Sequence, residues 1–276
     1  MAKLTIDNVS FSYGGDHNVL NNINLVLENK STAIIGQNGA GKTTFVKLLK
    51  KLLIPTEGNI YFNDENISTM TAAQLAKYIG LVFQNPSDQI FKTKVLDEVM
   101  FGPLNIGFSE QEAKDAAMAA LEAVSLSSHA QKNPYDLSLA ERKRITIASV
   151  LAMNTDVIIF DEPTMGQDYE GKQQIIQIIK QLKQDGKLVL CILHDMDFTA
   201  EVFERVLVFR QGEVLLDGTP EDVFKQKKQL EEAYLEQPNV LKIASKIGLS
   251  ETIVTKEQLI HKLSQLRNEE GLYDTN

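Results

Sequence analysis

Apolar and polar residues alternate along residues 3–27, with a break at Gly14-Gly15, and a period of two predicts an antiparallel β region. Ser31-Thr32-Ala33-Ile34-Ile35 reads as a short buried strand, and residues 44–53 read as the helix that follows it. Residues 58–63 form another short strand with a polar turn, and residues 80–83 a buried strand that ends in Gln84-Asn85-Pro86. Between them residues 71–78 suit a short helix, since Thr71 and Gln74 fit a capping box. The pattern becomes helical over about residues 92–153, where Ser109-Glu110-Gln111-Glu112 opens a helix and residues 141–153 form another. Then come a strand at 157–160 and a helix at 172–184, with Ile175, Ile176, Ile178, Ile179 and Leu182 on its apolar side. A strand at 188–193, a further helix, a strand at 205–209 and a hairpin through Gln211-Gly212 complete this part. Thr219-Pro220-Glu221-Asp222 is an N-cap with proline at the first helical position. Beyond it, helices are expected over residues 239–247, stopped by Gly248, and over 255–266, opened by a Thr255/Gln258 capping box.

Strands alternating with helices predict an α/β core built on a parallel sheet. The expected organisation is a main unit over residues 1–225, with the helical subdomain at about 92–153 inserted into it, and a small helical extension over residues 226–276. Composition adds few constraints. The 276 residues carry a net charge of −9, and 43% are hydrophobic, which suits a globular chain with a sizeable core. An acidic balance argues against a nucleic-acid partner, whose phosphates require a basic face. The single cysteine, Cys191, lies in an apolar run and reads as a small core residue; no disulfide framework can form within the chain. No signal segment or membrane-length apolar run is present, so the expected location is the cytosol, or a membrane surface to which partners hold the chain.

The chemistry is concentrated in Gly36-Gln37-Asn38-Gly39-Ala40-Gly41-Lys42-Thr43-Thr44, which fits GxxxxGK[ST] between a predicted strand and a predicted helix. Glycines let the backbone curl so that successive N–H groups face phosphate oxygens, and the helix N-terminus adds its dipole. Lys42 is placed to reach the β/γ-phosphates, and the Thr43 hydroxyl to ligate Mg²⁺. Downstream, Val157-Ile158-Ile159-Phe160 delivers Asp161 and Glu162 to a strand end. Alone, that pattern fits an ordinary core strand with a solvated acidic end better. After a complete P-loop it points to a carboxylate for Mg²⁺ at Asp161 and a residue that polarises the attacking water at Glu162.

Four further pieces lie in a fixed order around these: Gln84 at a strand end, Asp136-Leu137-Ser138-Leu139-Ala140-Glu141-Arg142, Met165-Gly166-Gln167-Asp168 after the acidic pair, and His194 at the end of the 188–193 strand. Together with the P-loop they resemble the nucleotide-binding subunits of ABC transporters, over residue 4 to about residue 224. The resemblance implies a P-loop NTPase core with an antiparallel β subdomain and an ATP hydrolase with ATP and Mg²⁺ as its ligands. It further implies that Tyr13 stacks on adenine, that Gln84 touches Mg²⁺ and the attacking water and signals to a membrane partner, that His194 contacts the γ-phosphate, and that Asp168 sits at the seam between two ATP sites. The family's signature is LSGGQ, whose loop closes over ATP held by another subunit; here Ser138, Leu139, Ala140 and Glu141 replace its S-G-G-Q. Leu139 and Ala140 add Cβ atoms where the family has glycine, while Ser138 and Glu141 keep a capping box and so a helix start. Met165-Gly166-Gln167 also departs from the family's SALD-like sequence.

Phe83-Gln84-Asn85-Pro86-Ser87-Asp88-Gln89-Ile90-Phe91 resembles the corresponding segment of energy-coupling factor transporter ATPases, importers of vitamins and metal ions. Their ATPases often carry a helical C-terminal extension and occur as two unlike subunits. The implied partners are a second ATPase subunit forming a heterodimer, a transmembrane coupling protein and a substrate-binding membrane protein, with the chain peripheral on the cytoplasmic face of the cell membrane. The competing readings are an ATPase of a conventional ABC importer or exporter, a regulatory subunit with vestigial hydrolysis, and a chromosome-maintenance ATPase, which long coiled-coil arms would mark and this chain lacks.

Overall fold

A computed structural model describes residues 2–14, 17–28, 30–249 and 251–269. Gly15 and residues 270–276 of the expected C-terminal extension lie outside the described residues. In chain order the elements are β1 (Lys3–Phe11), β2 (Leu20–Glu28), β3 (Thr32–Gly36), α1 (Lys42–Leu49), β4 (Glu57–Phe62), β5 (Glu65–Asn66), α2 (Ala72–Leu75), β6 (Ile79–Val82), α3 (Val95–Ile106), α4 (Glu110–Ala123), α5 (Leu139–Leu151), β7 (Val157–Asp161), α6 (Tyr169–Gln184), β8 (Leu188–Ile192), α7 (Met196–Val202), β9 (Arg205–Arg210), β10 (Glu213–Gly218), α8 (Pro220–Phe224), α9 (Lys227–Glu232), α10 (Asn239–Lys246) and α11 (Lys256–Glu269). β1, β2, β4 and β5 form one sheet in the order β2-β1-β4-β5, all antiparallel. The second sheet runs β10-β9-β3-β8-β7-β6; its pairings are parallel except the β9-β10 hairpin.

Side-chain alternation in the second sheet decides which residues face which layer. Val157, Ile159, Leu188, Leu190, Ile192, Leu207 and Phe209 pack with α1 residues such as Phe45 and with the antiparallel sheet. Ile158, Phe160, Val189, Cys191, Val206 and Val208 pack on the other face against α5, α6 and their neighbours. The sheet is therefore buried on both faces, which is why its strands read as continuous apolar runs rather than alternating ones. Phe45 and Phe209 meet with ring centroids 5.2 Å apart and fix α1 on the sheet; fully burying each ring is worth about 2–3 kcal/mol. Asp161 continues the odd-numbered series of β7, so period two alone turns it toward α1.

The capping boxes expected at Thr71/Gln74 and Ser109/Glu112 both form, and Thr255 and Gln258 exchange the same pair of bonds. The first helix is shorter than expected. It ends at Leu49 rather than at residue 53, because Lys51 adopts a left-handed φ of 56° and the chain turns toward Pro55. Two helices begin earlier than expected, α5 at Leu139 and α6 at Tyr169, each directly after its capping residue. α10 is held to α7 by Asp197, which accepts from both the backbone and the side chain of Asn239. No helix among the described residues is long and apolar enough to cross a membrane.

Lys50, at the end of α1, donates its Nζ to the Ile79 carbonyl at the start of β6. Burial lowers its pKa from 10.5 to about 8. The folded chain thus binds this proton less tightly than the unfolded chain, and a stability contribution of that kind rises with pH between the two values. Relative to Lys50→Met, the native chain should gain on the order of 2 kcal/mol as pH is raised from about 8 toward 10.5. Urea unfolding of both proteins across this range checks it, and parallel pH profiles would refute it.

Candidate functional site

The site forms where β3, β7 and β8 end on one edge of the parallel sheet. Leaving β3, the chain turns at Gly36, whose φ is 154° and where a Cβ would lie 2.4 Å from the Phe209 carbonyl oxygen. It enters α1 through Gly41, left-handed at φ 101°, with Leu20 and the Val19 carbonyl crowded against it. No side chain caps α1. Its first N–H groups therefore keep their bonding capacity, and with the helix dipole they form a seat for an anion. Val19, Asn38, Gly39, Gly41, Lys42, Thr43, Thr44, Gln84 and Glu162 line one open pocket around this turn.

Lys42 is buried and donates to the carbonyls of Gly36 (2.7 Å) and Gln37 (2.9 Å). Burial pulls its ammonium below the usual lysine pKa, while Glu162 and Asp161 oppose that pull. Thr43 Oγ1 donates to Asp161 Oδ2 at 3.2 Å, joining the P-loop helix to β7 across the intervening β8. Burial, with a smaller push from Glu162, raises the Asp161 pKa; Thr43, Lys143 and Lys42 act against it. Asp161 Oδ1 is buried and finds no hydrogen-bond partner among the described residues. A buried carboxylate oxygen of this kind, beside a hydroxyl and facing a phosphate seat, has the donor chemistry of a divalent cation site.

Glu162 has a left-handed φ of 49° and its N–H donates to the Ile192 carbonyl at 3.1 Å. That sharp turn after β7 swings its side chain to His194, with Nε2 and Oε1 2.7 Å apart. Such a φ costs a non-glycine residue about 1 kcal/mol or more, and it marks a position held by its surroundings. Tyr13 is 63% exposed; its hydroxyl lies 3.2 Å from Thr44 Oγ1 and its ring meets Phe11 edge-on. The structure thus brings the P-loop, Gln84, Asp161, Glu162 and His194 to one sheet edge, with Tyr13 beside the start of α1.

The signature residues and Asp168, expected at a partner's ATP and at the seam between sites, lie outside this pocket. None of Ser138, Leu139, Ala140 and Glu141 lines the P-loop pocket. They start α5, where Ser138 and Glu141 form both bonds of a capping box. Hydrogen bonds from Ser138 hold the Glu141 carboxyl below the usual carboxylate range, so it stays ionised. Leu139 is half exposed and leans toward Gly166, and Gln167 Nε2 donates to the Ala140 carbonyl at 3.1 Å. The two segments that depart from the family pattern therefore touch one another. Asp168 accepts from the Gly171 N–H on Oδ1 at 2.8 Å and caps α6.

Lys143 is a functional candidate that motif reading passes over. It is 1% exposed, and its Nζ donates to the carbonyls of Phe83 (2.8 Å), Gln84 (2.9 Å) and Asp161 (3.0 Å). Burial lowers its pKa to about 8. The signal was present in the helical period: Lys143 shares a face with Ile147 and Val150, both buried. A lysine on an apolar stripe either snorkels out or finds acceptors inside, and here it finds three.

Replacing Asp161 by asparagine removes a buried charge whose Oδ1 is unpaired. The nucleotide-free chain, with divalent cations chelated, should then keep or gain stability, by about 1 kcal/mol. Thermal unfolding measures this, and a loss beyond about 2 kcal/mol would show instead that the carboxylate holds the fold through Thr43.

Comparison with known proteins bears on the whole chain. The family model for the ABC transporter matches residues 20–165. An ABC transporter ATP-binding protein of Pyrococcus furiosus is 40% identical over 257 residues, 93% of this chain and 98% of the relative. The energy-coupling factor transporter ATP-binding protein EcfA2 of Streptococcus pyogenes is 36% identical over 272 residues, 93% of this chain and 97% of the relative. Among solved structures, cbiO1 of Clostridium perfringens, part of the ABC transporter complex cbiONQ, superposes with a TM-score of 0.73 at 30% identity, covering 88% of this chain and 98% of its own. With a P-loop, an acidic strand end and Gln84 joined at one sheet edge, and with relatives that match it over nearly its whole length, the chain belongs to the ABC transporter ATP-binding family of ATP-hydrolysing transport ATPases.

Proposed function

We propose that this chain is one of two unlike ATPase subunits of an energy-coupling factor importer, driving uptake of a vitamin or metal ion across the cell membrane. The observation that carries the reading is the split site: Lys42, Thr43, Gln84 and Glu162 share one pocket, while the signature start at Ser138 does not line it. Such a site is completed by a second subunit. The similarity to EcfA2 and to a component of cbiONQ supports the importer type. In this reading residues 1–225 form the nucleotide-binding unit, residues 226–276 the extension, and the chain is held at the cytoplasmic membrane face by its partners.

The reaction is attack of water on the γ-phosphorus of ATP, giving ADP and phosphate. The loop N–H groups of residues 36–44, from Gly36, Gln37, Asn38, Gly39, Ala40 and Gly41 onward, together with the α1 dipole, hold the phosphates, and Lys42 exchanges its carbonyl partners for phosphate oxygens. Thr43, Asp161 and Gln84 would hold Mg²⁺, which when bound would supply neutralisation of the charge on the phosphates. Glu162 orients the attacking water and takes its proton. His194, already bonded to Glu162, fixes that carboxylate and contacts the γ-phosphate of the bound nucleotide in this reading. Tyr13 offers its exposed face to the adenine, and Asp168 sits at the seam between subunits.

Closure around ATP is passed to the membrane through the loop after Gln84. Phe83, Gln89, Phe91 and Phe101 line an apolar groove beside it, and Phe91 is 54% exposed, with Lys92 over both the Phe91 and Phe101 rings. This groove is the proposed seat of the transmembrane coupling protein, which in turn carries the substrate-binding membrane protein.

Glu162→Gln should bind ATP with unchanged affinity and lose turnover by about 100-fold or more, a loss read in a phosphate-release assay with the partner ATPase present. Native-like turnover in that variant would overturn the role. The altered signature gives a second test. Leu139→Gly, Ala140→Gly and Glu141→Gln combined should raise the turnover of the two-subunit complex several-fold, roughly 3–10-fold, because a carboxylate and two side chains leave the partner's γ-phosphate. An unchanged rate would mean that the partner's site does not depend on this loop.

A further inference from the structure

The loop that leaves β6 has no sheet to hold it. β6 is the edge strand of its sheet, and past Val82 the backbone of Phe83 and Gln84 has no strand partner among the described residues. Its polar groups are instead met by side chains. Lys143 takes the carbonyls of both residues, and Gln89 takes the Phe83 N–H on Oε1 at 3.1 Å while donating Nε2 to the Thr146 carbonyl at 3.2 Å. Lys143 and Thr146 are one turn apart on α5, the helix whose first residues are Leu139 and Ala140. The same ammonium also holds the carbonyl of Asp161.

We infer that Lys143 is a positioning residue that ties α5 to both the Gln84 loop and the end of β7, so that the signature helix, Gln84 and Asp161 move as one unit. Three features require a cation rather than an apolar filler. The side chain is buried, its three acceptors come from two separate strand ends, and two of those acceptors are consecutive carbonyls turned to the same point. An ammonium with three donors can satisfy all three at once; a methyl thioether would leave them unpaired. The geometry also gives the link a direction. A shift of α5 that accompanies closure of one subunit on the other draws the Gln84 loop and Asp161 with it through one atom. The nucleotide seat at residues 36–44 meets this unit at Asp161 through Thr43, while Lys42 is held by the carbonyls of its own loop.

The inference rests on the proposed roles of Gln84 and Asp161 and adds a residue to neither the phosphate seat nor the water. Its test is steady-state hydrolysis by the full chain with its partner ATPase, for Lys143→Met, Lys143→Gln and Lys143→Arg, with Glu162→Gln run in parallel. Lys143→Met should lower kcat by about tenfold or more with KM for ATP within about threefold of native, and Lys143→Arg, which keeps a buried cation with several donors, should recover most of kcat. If Lys143→Met does not fold, as judged by circular dichroism, Lys143→Gln is read by the same criteria. A kcat within about threefold of native in a folded neutral variant, a loss carried wholly by KM, or an arginine variant as slow as the methionine one each overturns the inference. If Glu162→Gln also retains turnover, the assignment of the site itself fails. If only the Lys143 variants do, the coupling through Lys143 fails alone.

Discussion

Parallel pairing forces strands to end together. β3, β7 and β8 share one direction and one edge, so the P-loop, the Asp161-Glu162 pair and the segment leading to His194 arrive at a single line although more than 100 residues separate the first from the others in the chain. Period two then assigns sides. Asp161 follows Val157 and Ile159 toward α1, where Thr43 meets it, while the intervening residues turn toward α5 and α6. The remaining geometry of the site follows from this edge: the turn at Glu162 toward His194, the exit of β6 toward Gln84, and the buried lysine that joins them.

That constraint explains what the sequence made legible and what it hid. The P-loop is local, and eight residues between a strand and a helix suffice to place Lys42 and Thr43. The capping boxes at Thr71, Ser109, Ser138 and Thr255 are equally local and formed as their spacing required. The acidic pair was legible as a strand end because four apolar residues precede it. Lys143 was legible only as a lysine on an apolar helix face; its three carbonyl partners come from distant segments, and nothing in the run Leu139 to Ile147 names them. The end of α1 was missed for the opposite reason: Leu52 and Leu53 continue an apolar pattern that the left-handed turn at Lys51 interrupts. Hydrophobic periodicity tracks burial, and burial continues past the end of a helix.

The departures at Leu139-Ala140 and at Met165-Gly166-Gln167 looked independent in sequence. In three dimensions they are one surface, joined by the Gln167 amide and by Leu139 against Gly166. Larger side chains where the family has glycine need space, and a glycine at 166 supplies some of it. The two segments are thus a matched pair, and changing one alone leaves the other shaped for an absent neighbour.

Charge accounts for the remaining openness of the site. Lys42 and Lys143 stand near Asp161 and Glu162, so the nucleotide-free edge is close to neutral, and burial strains each buried member: the lysines are pulled toward neutrality and Asp161 toward protonation. A triphosphate brings about four negative charges, and Mg²⁺ returns two. The α1 N-terminus offsets roughly half a charge more. What is left must be met from outside this pocket, and the element suited to it is another helix N-terminus. This chain presents one at Ser138, yet holds it outside the pocket of its own P-loop and places an ionised Glu141 beside it. The two halves of the site are therefore unequal in what they offer: a full phosphate seat on one side, and on the other a helix start whose own carboxylate cancels part of its attraction for an anion. In the proposed pair of unlike subunits such an imbalance is tolerated, since the second subunit would bring a helix start free of that charge to close over the seat formed here.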